Sequence, residues 1–155
     1  MIRPTTVHEE TSALHIWVVL YKTAHAIEQN ALRSLSGVKL GLSEFAVLEE
    51  LLHGGPQPVN TIGKKILLAS ASITAAIQRL EGRRLVRRLQ DPNDLRASLV
   101  QLTAGGRRLI EKAIEQHAAE MEEVMGVLRK AERLELVRIL KKLGLSAATK
   151  LESAD

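Results

Sequence analysis

The 155-residue chain contains no cysteine. Disulfides, thiolate zinc sites, iron–sulfur clusters, cysteine nucleophiles and thiol redox sensors are therefore excluded. Aromatic rings are nearly as scarce, with Trp17, Tyr21 and Phe45 making the complete set. RNA-binding sheets and single-strand platforms stack bases on such rings, so both are disfavoured. Long apolar runs are missing too. The stretch Ile16 to Tyr21 is far shorter than the ~20 residues a membrane span needs. The N-terminus lacks a basic start followed by an apolar core and a small-residue cleavage site. The expectation is a soluble cytoplasmic protein with no membrane partner. Glycine-rich phosphate cradles, serine-nucleophile motifs and acid–base dyads do not stand out either, so neither an enzyme nor a cofactor is expected.

What is present is globular composition, 45% hydrophobic and 26% charged, at a length that suits one domain plus a dimerisation arm. The net charge of +4 hides an uneven distribution. Gly63 to Arg108 holds ten basic residues against three acidic ones, net +7, while the rest of the chain holds 12 against 15, net −3. A basic middle between acidic ends suggests a polyanionic partner.

Apolar positions recur near a 3.6 period from residue 9 to 36, through Leu14, Trp17, Val18, Tyr21, His25, Leu32 and Leu35, which predicts one long helix. The tract Ser36 to Gly41 breaks it, and Ser43 is the expected cap of a second helix carrying Phe45, Val47, Leu48, Leu51 and Leu52. Gly54-Gly55-Pro56-Gln57-Pro58 ends that helix. A short helix over about Thr61 to Leu67 and another over about Ser70 to Arg83 meet at a small-residue corner, the pattern of a helix-turn-helix. The second of the pair turns Ile73, Ala76, Ile77 and Leu80 inward.

The period then shortens. Leu85 to Leu89 and Ala97 to Leu102 read as strands around the turn-rich Gln90 to Arg96, hence a β-hairpin wing. Thr103 is the expected cap of a long helix, and a last helix over about Ala131 to Leu143 is expected to stop at Gly144. The fold class is mostly α with a small β-hairpin wing. Residues 9–36 form an N-terminal dimerisation helix, 42–102 a winged helix-turn-helix lobe, and 103–145 C-terminal dimerisation helices. The terminal helices carry apolar stripes wider than one small core can bury, which points to a homodimer.

A helix N-terminus with small polar side chains suits the major groove of double-stranded DNA. Ser70, Ser72, Thr74, Gln78 and Arg79 are the candidates for base or backbone contact, with Gln78 suited to adenine and Arg79 to guanine or phosphate. Lys64, Lys65, Arg83 and Arg84 are candidates for phosphate. At the hairpin tip Arg96 can enter the minor groove, where negative potential is enhanced, and Asp94 can orient its guanidinium.

Four segments together carry a resemblance: Gly41-Leu42-Ser43-Glu44-Phe45-Ala46-Val47-Leu48, Ile66 to Thr74, Asp91-Pro92-Asn93-Asp94-Leu95-Arg96, and Leu102-Thr103-Ala104-Gly105-Gly106. Their order and spacing resemble the MarR family of bacterial transcription regulators over about residues 10 to 145. The helix-turn-helix section is especially similar to the branch typified by regulators of methylhydroquinone resistance. The resemblance implies a dimeric winged-helix protein on a pseudo-palindromic operator, usually a repressor relieved by a small aromatic or phenolic effector. It also implies wing roles for Asp94 and Arg96. Leu95 departs from the pattern, because many members carry Arg or Lys there.

A ligand between the dimer helices and the DNA-binding lobe would alter the separation of the two reading helices. Trp17, Tyr21, His25, Phe45 and His53 are the candidate lining residues. Two rival classes are a metal-responsive regulator and a winged-helix protein-interaction module without DNA binding. Among the histidines, His117 with Glu120 has an i, i+3 metal-like spacing, and that pair reads as plain surface.

Overall fold

The computed structural model describes residues 10–66, 70–92, 94 and 98–153. In chain order it comprises α1 (Ala13–Leu35), a single 3-10 turn (Ser36–Val38), α2 (Leu42–Gly54), β1 (Gln57–Pro58), α3 (Val59–Lys65), α4 (Ser70–Gly82), β2 (Val86–Gln90), β3 (Ser98–Leu102), α5 (Ala104–Met125) and α6 (Lys130–Glu152). The chain divides into two compact units, Met1–Met121 and Glu122–Asp155.

The first unit holds the core. Periodicity places Leu48 and Leu51 of α2, Ile62 of α3, Ile77 and Leu80 of α4, Val100 of β3 and Ile110 of α5 out of solvent. Each such side chain contributes about 1.5–3 kcal/mol by leaving water. All four inward positions expected of α4 are buried, so the helix lies on the core by one stripe.

Ser12 caps α1, its hydroxyl accepting the His15 N–H at 3.2 Å. The cap of α2 is not Ser43, as expected, but Gly41. Glu44, three residues on, reaches back and accepts the Gly41 N–H at 2.9 Å, which satisfies the end of the helix and leaves Ser43 inside it.

The wing contains one strand more than the sequence suggests. The sheet order is β1-β3-β2, all antiparallel, with Val86 opposite Leu102, Gln90 opposite Ser98 and Gln57 opposite Val100. β1 has only two residues and falls in a Gly/Pro tract, so no alternation could announce it. Pro58, lacking an N–H, sits on the edge strand where that loss is harmless.

Thr103 caps α5 as expected, accepting the Gly106 N–H at 3.0 Å. Its own N–H donates to the Leu85 carbonyl at 3.0 Å, which ties the wing to α5. Gly106 packs so closely on Leu85 that an added Cβ would lie 1.9 Å from that carbonyl oxygen. This is the physical content of the Leu-Thr-x-x-Gly pattern, in which the threonine caps and the glycine makes room.

In the second unit, α6 does not stop at Gly144 but runs on to Glu152. Leu145, Ala147, Ala148 and Lys150 follow with no proline, so the ~1 kcal/mol cost of one mid-helix glycine is absorbed. Among the described residues no helix is long and apolar enough to cross a membrane.

Candidate nucleic-acid interface

With Ile73, Ala76, Ile77 and Leu80 turned into the core, α4 presents Ser70, Ser72, Thr74, Gln78 and Arg79 to solvent. Opposite the buried face lie Ala71, Ala75, Gln78 and Gly82. Gln78 is thus the long polar side chain on an otherwise small-residue face. A helix of this shape can approach a groove closely and extend one amide to an adenine edge.

The basic residues divide into two groups. Lys65 pairs with Glu50 at 2.7 Å, and Arg88 pairs with Glu81 at 3.1 Å. Arg87 donates to Gln101 across the hairpin at 3.0 Å. Arg79 pairs through Nε with Glu44, and Arg83 donates to the carbonyls of Lys39 at 2.6 Å and Val38 at 3.0 Å. Lys64, Arg84 and Arg108 form no ion pair among the described residues. Arg84 has a left-handed backbone, φ 58°, and its carbonyl accepts the Thr103 hydroxyl at 2.8 Å, so its backbone turns the chain from α4 into β2. At the tip Asp94 is exposed, while Arg96 and Leu95 lie outside the described residues.

Glu44 is nearly buried. Burial alone would raise its pKa, but the Gly41 N–H, the Arg79 hydrogen bond and the charges of Arg79 and Arg83 outweigh that. The carboxyl is held below its usual range and stays ionised. In the same direction, hydrogen bonds from Lys65 and Gln57 lower the pKa of Glu50.

The candidate ligand residues are dispersed in this chain. Trp17 and Tyr21 stand 61% and 64% exposed on α1 with ring centroids 6.2 Å apart. His25 and His53 are exposed, whereas Phe45 is buried. Phe45 meets His117, with ring centroids 4.8 Å apart, a contact that no local spacing in the sequence shows. His117 Nδ1 also lies 2.8 Å from the Ser34 hydroxyl, and Glu120 binds Arg33 at 2.8 Å. The His117/Glu120 pair is therefore not plain surface. It joins α5 to α1 and α2, a role that i, i+3 spacing alone cannot show. Among the described residues no cluster of three or more acidic or histidine side chains is placed to hold a metal ion.

A winged helix-turn-helix with a capped Leu-Thr-x-x-Gly joint now has relatives to be set beside. The MarR family model matches residues 40–98. Over 135 residues the chain is 38% identical to the HTH-type transcriptional regulator MhqR of Bacillus subtilis, covering 87% of this chain and 93% of that one. This chain belongs to the MarR family. Among solved structures it is similar to BpsR of Bordetella bronchiseptica, whose DNA binding is regulated by 6-hydroxynicotinic acid. That match has a TM-score of 0.76 at 27% identity and covers 83% of this chain and 98% of the other. A mutant MarR of E. coli complexed with operator DNA matches with a TM-score of 0.73 at 25% identity, covering 86% and 99%.

Proposed function

We infer that this MarR-family chain is a transcriptional regulator acting in the cytoplasm, a repressor that binds a pseudo-palindromic operator in double-stranded DNA as a homodimer. It is not an enzyme. The observation that carries the reading is α4, with its apolar face buried, its small-residue face and Gln78 open, and a wing beside it. Residues 42–102 are the DNA-binding lobe, with Ser70, Ser72, Thr74 and Gln78 toward bases and Lys64 and Arg84 toward phosphates. Asp94 and Arg96 form the wing contact in the minor groove.

Residues 9–36 and 103–145 serve dimerisation. On α1, Leu14, Trp17, Val18 and Tyr21 are exposed, and on α6 so are Leu134, Val137, Leu140 and Leu143. Apolar patches of this extent are rare on monomers. A dimer would set the two α4 helices one DNA turn, ~34–36 Å, apart. A small aromatic or phenolic effector that binds better at another spacing would release the operator. Trp17, Tyr21, His25, Phe45 and His53 remain the proposed lining, completed by the partner subunit.

The test is a duplex selected by the protein from a random pool, with affinity followed against salt. Binding that falls steeply with salt is expected, as is weaker binding by Arg96→Ala with its oligomeric state unchanged. Salt-independent binding, or none, would refute the reading in favour of a protein-interaction module. Quenching of Trp17 fluorescence by phenols is the expected effector signal.

A further inference from the structure

Two arginines one turn apart on one flank of α4 reach the same short segment. Arg79 gives its Nε–H to Glu44, and Glu44 also accepts the Gly41 N–H. Arg83 gives two hydrogen bonds to the carbonyls of Val38 and Lys39, where Lys39 turns left-handed at φ 53°. Residues 36–41 link α1 to α2 and Glu44 lies in the first turn of α2, so α4 is fastened at two points to the segment that follows α1.

We propose that Glu44, Arg79 and Arg83 form a latch that sets how α4 is presented, and that Arg79 and Arg83 are positioning residues rather than DNA contacts. The proposal rests on the DNA-binding reading above for its consequence, but not for its geometry. Two facts favour it over direct contact. Both arginines lie on the flank between the buried stripe and the outward face of Ala71, Ala75 and Gln78, so their guanidinium groups turn back to protein acceptors. The carbonyls at 38 and 39 are the ends of a 3-10 turn, groups that need a donor from outside their own element. Any effector or variant that shifts the 38–44 segment would then move α4.

The experiment compares wild type with Glu44→Gln, Arg79→Gln, Arg83→Gln and the Glu44→Gln/Arg79→Gln double variant. Each is titrated with a duplex selected by the wild type, at several salt concentrations. The expected result is a loss of about three- to tenfold in affinity for each single variant, and no further loss in the double. The slope of log affinity against log salt stays at the wild-type value, because no phosphate contact has been removed. A slope that falls by about 1.8, two lost contacts per dimer, for Arg79→Gln while Glu44→Gln binds like wild type would overturn the latch. Unchanged affinity in all three single variants would overturn it as well. If wild type selects no duplex, the DNA-binding reading fails. The latch is then judged by urea unfolding of the same four proteins, where additive losses for Glu44→Gln and Arg79→Gln would refute the coupling.

Discussion

Substituting Gly106 by alanine should destabilise the protein, although alanine is the better helix former by about 1 kcal/mol. An alanine Cβ at this position would stand 1.9 Å from the Leu85 oxygen, 2.9 Å from its carbon and 3.3 Å from its Cα. Ordinary contact begins near 3.4 Å, so the two backbones must part by about 1.5 Å. Rigid backbone faces the new methyl, so no side chain can swing aside. Separation breaks the Thr103 N–H to Leu85 bond at 3.0 Å and the Thr103 hydroxyl bond to the same oxygen at 3.2 Å. Each contributes about 1 kcal/mol, and the packing of buried Leu85 and Val86 is loosened as well. The net expectation is a loss of about 2–4 kcal/mol, seen as a lower urea midpoint by far-UV circular dichroism at one fixed protein concentration. Gly144→Ala is the control, since nothing lies within 4 Å of its added Cβ inside α6, and it should gain up to about 1 kcal/mol. A Gly106→Ala protein as stable as wild type would refute the argument that this joint requires a bare backbone.

Three further outcomes are open to measurement. Lys64→Gln should weaken DNA binding about equally for all sequences and lower the salt slope by about 1.8, one contact of ~0.9 per protomer, because Lys64 is exposed without an ion-pair partner among the described residues. Glu44 has a folded pKa below its unfolded value, so its stabilising contribution is complete above the unfolded pKa of about 4.5 and lost as pH falls through the folded pKa. Acid titration of unfolding stability should therefore fall less steeply below about pH 5 in Glu44→Gln than in wild type, and parallel curves would contradict the shift. Trp17→Glu should turn a dimer into a monomer by sedimentation, since it places a charge in an exposed apolar stripe that dimerisation would bury.

Much of the fold was legible because its helices bury one stripe each. The spacing Ile73, Ala76, Ile77, Leu80 identified the inward face of α4, and Thr103 announced the start of α5. Features carried by few residues were not legible. β1 has two residues and no period, and the Gly41–Glu44 cap is made by a carboxylate returning from inside the helix rather than by a hydroxyl at its edge. Gly144 failed as a stop because glycine ends a helix only when the following residues favour another conformation. At the candidate site the identity of the exposed residues was readable, but their partners were not. Glu44 is separated from Arg79 by 35 residues, and Ser34 from His117 by 83, distances no local pattern spans.

Charge shows the same limit in a form that can be measured. A count along the chain puts +7 between Gly63 and Arg108. Among the described residues, basic side chains there make four ion pairs, and three of these use carboxylates from outside that stretch: Glu44, Glu50 and Glu111. A cation that leaves a carboxylate for a phosphate abandons a negative charge beside the polyanion, so it releases no net counterion. Arg83 and Arg87 are already committed to protein oxygens. Lys64, Arg84 and Arg108 remain among the described residues, and Arg96 is added as the proposed wing contact. If all ten basic residues of each protomer met phosphate, a dimer would bind with a salt slope near −18, at ~0.9 per contact. With four per protomer the magnitude cannot exceed about 7. A measured slope well beyond −7 would mean that the internal pairs open on the operator, and that the latch between α4 and the 38–44 segment is released rather than kept when DNA is bound.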